Sequence, residues 1–226
     1  MNIGVIFDMD GTLLDTLEDL TDAVNVALTQ CGYPSRTLEE MRYFVGNGAA
    51  TMLRRAAPEG AELQPLLDAF FAWYEEHCRD KTRPYDGIYE ALDQLKKDHP
   101  LAVVSNKPDY AVKLISDALF PGVYGVGEQQ GIPRKPAPDM LLSAMKQIGV
   151  EKCIYVGDSD VDLLTAKNAG VPCISVLWGF RTEEDLRQAG ATVFCSEYQE
   201  QRAETAECQS EFCKFTHFPS VHSVPW

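Results

Sequence analysis

The chain contains no apolar stretch approaching the roughly 18 residues that a membrane-spanning helix requires, so no membrane partner is expected. It also lacks a basic surplus. Twenty Lys and Arg face 34 Asp and Glu, a net charge of −14, which argues against nucleic acid because phosphate contacts need a basic face. Cysteine is too irregular for a disulfide framework: seven residues, an odd number at uneven spacing, fit reduced thiols and a cytoplasmic location. A strand-like run begins by residue 3, leaving no room for a signal peptide in this sequence. No repeat or low-complexity tract is evident. With 226 residues, 45% of them hydrophobic, there is enough apolar surface for one good core and a second small module.

What is present is concentrated at the start. Val5-Ile6-Phe7 has strand chemistry and runs directly into Asp8-Met9-Asp10-Gly11-Thr12-Leu13. On an extended chain Asp8 and Asp10 leave the same face, and two like charges at the end of a buried strand are costly unless a cation neutralises them. Gly11 permits a sharp turn, and Thr12 adds a hydroxyl and a backbone N–H.

Apolar strands alternate with helical patterns from residue 83 onward. Strands are predicted at 101–104, 123–126, 153–156, 173–176 and 192–194, with helices near 86–98, 108–119, 136–149, 160–170 and 182–189. This alternation predicts an α/β fold, a doubly wound parallel sheet covered on both faces, with ligands bound beyond the carboxyl ends of its strands. Asp8, Ser105 and Asp158 each sit just past such an end. Residues 16–82 read as all-helical, with helices at 37–45, 48–57 and 62–80. The first helix would open on Thr16 and Asp19 as a capping-box pair, with a buried stripe of Leu20, Val24, Ala27, Leu28 and Cys31.

Four runs in order resemble the signatures of the haloacid dehalogenase superfamily: Asp8-x-Asp10-Gly11-Thr12-Leu13, Ser105-Asn106 after an apolar strand, Lys135 before a helix, and Gly157-Asp158-Ser159-Asp160-Val161-Asp162 after another strand. The resemblance is greatest to phosphoglycolate phosphatase-like members and extends to about residue 196. It implies a Rossmann-like catalytic core of residues 1–15 and 83–196 carrying a helical cap over 16–82. It further implies an Mg2+-dependent hydrolase that removes phosphate from a small phosphorylated metabolite through an aspartyl-phosphate.

In that reading Asp8 is the nucleophile, Asp10 the general acid and base, and Lys135 the charge facing Asp8 and the phosphoryl oxygens. Met9, Gly11, Thr12, Ser105 and Asn106 hold phosphate oxygens. Asp8, Asp158 and the backbone carbonyl of Asp10 bind the metal, and Asp162 orients its waters. In the cap, Arg42, Gly46, Asn47 and Gly48 are candidate substrate contacts, the glycine loop offering backbone N–H groups to an anion. Lys107 either assists phosphate or is simply solvated. Asp10 argues against dehalogenation, for which the family lacks this residue. Residues 15–80 contain no lysine, which argues against a phosphonatase, whose cap must supply one. A mutase-type phosphoryl transfer and an inactive binding protein stay open, and the chain acts as a monomer or homodimer.

Residues 197–226 depart from the family pattern and show neither a 3.6 nor a 2.0 period. Cys208, Cys213, His217 and His222 invite a zinc reading. The three residues between Cys213 and His217 are too few for a finger-type site, and an atypical tail is expected instead.

Overall fold

β-Branched and aromatic runs supply the sheet, and their alternation decides its two faces. The computed structural model describes residues 3–196; the expectations for 197–226, the zinc-like spacing included, lie outside the described residues. The chain runs β1 (Ile3–Phe7), β2 (Leu14–Asp15), α1 (Leu17–Gln30), α2 (Leu38–Phe44), α3 (Gly48–Ala56), α4 (Leu63–His77), β3 (Arg83–Pro84) and α5 (Ile88–Leu95). It continues with β4 (Leu101–Pro108), α6 (Asp109–Leu119), β5 (Tyr124–Glu128), α7 (Asp139–Gln147), β6 (Lys152–Gly157), α8 (Asp160–Ala169), β7 (Cys173–Val176), α9 (Glu183–Gln188) and β8 (Phe194–Cys195).

Six of the strands form one parallel sheet in the order β5-β4-β1-β6-β7-β8. The order grows outward from β1 in both directions, so the crevice beyond its carboxyl end is the topological switch point where α/β sheets bind ligands. Successive side chains alternate across the sheet. Val5, Phe7, Leu101, Val103, Ile154, Val156, Ile174 and Val176 enter one apolar cluster. Ile6, Ala102, Val104, Cys153 and Tyr155 enter the other, beneath α7 and α8. Among the described residues no helix is long and apolar enough to cross a membrane.

Helices α1–α4 pack chiefly on one another, and their apolar stripes (Leu28, Met41, Leu53, Phe70) join the first cluster. The two chain segments connecting this insertion to the sheet pair with each other. β2 and β3 are antiparallel, Leu14 opposite Pro84 and Asp15 opposite Arg83, and a salt bridge of 3.0 Å joins Arg83 to Asp15. Pieces of two residues are below what periodicity can detect.

Asp19 corrects one sequence expectation. Thr16 makes no side-chain cap bond. Asp19 instead turns to the returning segment, where its carboxylate accepts the N–H groups of Lys81 (2.9 Å) and Thr82 (2.8 Å) and the Thr82 hydroxyl (2.7 Å). The unpaired donors of a segment 62 residues away outcompete a local cap, because a buried N–H without a partner is costly and a carboxylate satisfies several at once. Asp19→Ala is accordingly expected to cost about 1.5–3 kcal/mol in urea unfolding. An unchanged midpoint would show that water replaces the carboxylate without loss.

Candidate active site

The first turn beyond β1 is shaped by backbone bonding: the carbonyl of Met9 accepts from Thr12, Leu13 and Leu14 (3.3, 3.1 and 3.0 Å). Gly11 sits inside it at φ +80°, and a Cβ there would lie 2.4 Å from Asp158 Oδ2. Conformation and space both require glycine. From the opposite side, a Cβ on Gly179 would fall 2.3 Å from the Cβ of Asp158. Two loops thus close around one carboxylate, which accepts the Phe180 N–H at 2.7 Å and the Thr12 hydroxyl at 3.3 Å.

Lys135 is the centre of the site. It is 2% exposed, and its ammonium donates to Asp162 Oδ1 (2.8 Å) and the Tyr155 hydroxyl (2.9 Å) and is ion-paired with Asp8 Oδ1 at 2.9 Å. Asp162 is fixed from behind by the hydroxyl (2.6 Å) and N–H (3.1 Å) of Ser159, the reciprocal partners of the capping box that opens α8. The Tyr155 hydroxyl also lies 3.2 Å from the carbonyl of Val104 and from Asp162 Oδ1. At Asp8 the Met9 N–H (2.7 Å) and Lys135 both meet Oδ1, leaving Oδ2 outside these two bonds.

One ammonium touches two of three clustered, buried carboxylates. Oxygen atoms of Asp8, Asp158 and Asp162 lie within 4.8 Å of one another. Burial, then the charge of Asp162, pushes the Asp8 carboxyl well above its ordinary range, against the pull of Lys135. Burial and Asp162 likewise raise Asp158 to about 7, opposed by the Phe180 N–H, Arg181 and Lys135. Lys135 is held above the ordinary lysine range although burial works against its charge, because Asp162 and Asp8 outweigh it. This surplus of negative charge on oxygen donors alone fits a hard divalent cation such as Mg2+. Asp162, expected to orient the metal's waters, stands in the cluster itself, and the Asp10 carboxylate, whose backbone carbonyl was the expected ligand, faces Lys107, 2.9 Å from its Nζ.

Residues 5–176 match the family model of haloacid dehalogenase-like hydrolases. The chain belongs to this family. It is 35% identical over 189 residues to the phosphoglycolate phosphatase of Xanthomonas campestris pv. campestris (strain 8004), covering 80% of this chain and 86% of that one. It is 34% identical over 202 residues to phosphoglycolate phosphatase 1 of Pseudomonas aeruginosa PAO1, covering 84% and 74%. A crystal structure from Lactobacillus delbrueckii subsp. bulgaricus, provisionally named as a phosphoglycolate phosphatase, superposes with a TM-score of 0.80 at 38% identity. That match covers 87% of this chain and 95% of that one.

This hydrolase holds a cavity between its cluster and the helical insertion, with about 430 Å³ of open space continuous with solvent. Asp8, Asp10, Ser105, Asn106 and Lys107 line its floor, and Leu20, Val45, Ala49, Met52, Phe70 and Tyr74 its roof. Gly46 and Gly48 also line it; Asn47 and Arg42 do not. Asn47 precedes α3 without a side-chain cap bond, and the Arg42 guanidinium donates to the Gly179 carbonyl at 3.2 Å. The Asn106 side-chain amide donates to the carbonyls of Gly46 (3.1 Å) and Lys135 (3.0 Å), and its Oδ1 is buried with no partner.

Three groups stand at the site that the sequence did not single out. Tyr155 holds Lys135, Tyr74 meets Lys107, and Arg181 reaches from the loop after β7 to the carbonyls of Arg42 (2.7 Å) and Val45 (2.9 Å). The solvated alternative for Lys107 is overturned, since it is 4% exposed and paired on two sides. A tyrosine in an apolar strand reads as core, and only the three-dimensional register turns its hydroxyl toward Lys135.

Proposed function

We propose that this hydrolase removes the phosphoryl group from a small phosphomonoester, a phosphoglycolate-like metabolite, through a covalent phosphoaspartate on Asp8. The observation that carries this reading is the anchoring of Asp8 by one oxygen: Lys135 and the Met9 N–H fix Oδ1, and Oδ2 is left to act on substrate in the cavity. Names borne by the relatives support the substrate class.

In this scheme Asp8 Oδ2 attacks phosphorus and Asp10 gives a proton to the departing oxygen, then takes one from the water that cleaves the acyl phosphate. Lys135 offsets charge on the nucleophile and the transferring group. Ser105 receives an equatorial oxygen, while in the turn the N–H groups of Met9, Gly11 and Thr12 are spent on Asp8 Oδ1, the Leu14 carbonyl and the Met9 carbonyl. The side-chain amide of Asn106 serves by holding the Lys135 and Gly46 carbonyls in place. Mg2+, held by Asp8 and Asp158 with Asp162 behind them, would supply Lewis-acid stabilisation of the phosphoryl charge. We read α1–α4 as a cap whose apolar roof excludes water and limits the substrate to small molecules.

The experiment pairs phosphate release from a panel of small esters with melting in Mg2+ and in EDTA across pH. The folded-state pKa of Asp158 is raised from 3.8 to about 7, so the native state binds more protons than the unfolded chain in that window. Metal-free stability therefore falls as pH rises from about 4 to about 7. Metal binding displaces those protons, so the Mg2+ effect is expected to be small near pH 5 and large near pH 8. At a hundredfold excess over Kd it should reach about 2.7 kcal/mol. Absence of both phosphate release and a melting shift would leave the binding-protein reading as the better account.

A further inference from the structure

Lys107 has no role in the scheme above, yet it is among the best-buried cations of the molecule. It lies two residues beyond Ser105, in the part of β4 where pairing with β5 breaks register before resuming at Pro108 and Glu128. Its ammonium lies 2.9 Å from Asp10 Oδ1 and donates to the hydroxyl of Tyr74. Asp10 belongs to the core, and Tyr74 lies on α4 of the insertion, fully buried and stacked on Phe70 with ring centroids 4.9 Å apart. Lys107 also lies over the Tyr74 ring, 5.0 Å from its centroid. One side chain thus touches the group that must protonate the leaving oxygen and the group that exists at this point only when the cap is seated.

We infer that Lys107 is a positioning residue that makes the placement of Asp10 conditional on cap closure, with Tyr74 as the cap's half of the contact. This rests on the phosphatase reading. The ammonium paired with Oδ1 at 2.9 Å leaves Oδ2 as the oxygen that carries the transferable proton, and its charge holds Oδ1 on the Lys107 side. In the step it serves, a bond forms between Asp8 Oδ2 and phosphorus while the bond from phosphorus to the leaving oxygen breaks. The electron pair stays on that oxygen, which takes the proton of Asp10 and leaves Asp10 as carboxylate. With the cap lifted, the hydroxyl is withdrawn, Lys107 loses one of two anchors, and Asp10 is no longer held. The consequence is economical: acid catalysis is available only once the cap's apolar roof has excluded water.

Among the described residues the other side-chain hydrogen bonds between insertion and core touch neither Asp8 nor Asp10: at the site, Asn106 donates to the Gly46 carbonyl (3.1 Å) and Arg42 to the Gly179 carbonyl (3.2 Å). Arg181 holds the carbonyls of Arg42 and Val45, and Arg134 lies 3.2 Å from the Thr51 hydroxyl; these seat the cap but touch neither Asp8 nor Asp10. A purely structural clasp would be expected at that periphery. The contact through Lys107 is instead at the cavity floor.

The test compares the parent enzyme, Tyr74→Phe, Lys107→Met and the double variant, each on an alkyl phosphate and on an activated aryl phosphate in Mg2+. Tyr74→Phe keeps the ring and its stacking on Phe70, so folding is safeguarded and is checked by melting. A poor leaving group needs the proton and a good one does not. Each single variant is therefore expected to lose about 10- to 100-fold in kcat on the alkyl ester, the scale of a misplaced catalytic group. On the aryl ester the loss should be slight in the first turnover, whose leaving group needs no proton; later turnovers also need Asp10 as base toward the hydrolytic water. The double variant should be no worse than Lys107→Met, since the two substitutions break one chain of contacts. Equal first-turnover losses on both esters, or losses that multiply in the double variant, overturn the proposal while the parent's activity upholds the phosphatase reading. A parent enzyme that releases no phosphate from either ester overturns both.

Discussion

Asp8→Asn should abolish phosphate release while the variant melts at or above the temperature of the parent. The two donors on Asp8, the Lys135 ammonium and the Met9 N–H, both address Oδ1. An asparagine carbonyl in that place accepts the same two bonds, so the turn after β1 keeps its geometry. The amide nitrogen then occupies the position of Oδ2, and an amide nitrogen does not attack phosphorus. Removing a unit that acts in concert with others typically costs on the order of 10⁴-fold or more, which here means turnover at the limit of detection. Stability moves the other way. Asp8 is buried beside Asp158 and Asp162, and its carboxyl is pushed well above the ordinary range by burial and by Asp162. At neutral pH its ionisation opposes folding, and the neutral amide removes that cost. Steady-state phosphate release and thermal melting read the two effects separately. Turnover within tenfold of the parent would exclude a covalent intermediate on Asp8.

The fold class was legible because the signals are local. Each apolar strand run carries its own alternation, and each ends in a polar residue that belongs beyond the sheet: Asp8 after Phe7, Asp158 after Gly157. The crevice they share follows from topology alone. Strand ends were less legible. β4 reads as ending at Val104, yet it runs to Pro108 because Pro108 pairs with Glu128 across the sheet. Propensity has no term for a partner 20 residues away. The Asp19 carboxylate was misread for the same reason, its partners Lys81 and Thr82 being remote.

The chemical roles divide along the same line. Asp8, Asp10, Lys135 and Asp158 stand in motifs whose residue types announce chemistry. Tyr155, Tyr74 and Arg181 are ordinary members of a strand, a helix and a loop until the fold brings them to Lys135, Lys107 and the carbonyls of Arg42 and Val45. Lysines show the limit most clearly. Lys107 and Lys135 are both next to proline or one residue from it, and nothing in composition separates them from a surface lysine. Both are 4% exposed or less, because each has carboxylate partners that offset the loss of water.

Lys135→Met should be the most damaging single substitution to stability, and it should also remove activity. The methionine fills similar volume, so cavity formation is a minor contribution. What disappears is the one cation that faces Asp8 and Asp162 together, along with the donor to Tyr155. Breaking a buried pair by deleting one partner costs about 3–5 kcal/mol, since the remaining charge is left unpaired in a poor solvent. In a domain of this size that lowers the melting temperature by on the order of 10 °C. Lys135→Arg is not expected to rescue it, because a planar guanidinium fork cannot direct three donors from a single nitrogen to three convergent acceptors. The revealing variant is Lys135→Met combined with Asp162→Asn. It removes a negative charge along with the positive one, so it should recover much of the lost stability. Activity should stay absent, since nothing then offsets charge on Asp8 and the transferring phosphoryl group. If the double variant regains turnover along with its melting temperature, Lys135 serves the fold alone, and charge compensation at Asp8 must come from elsewhere in the site.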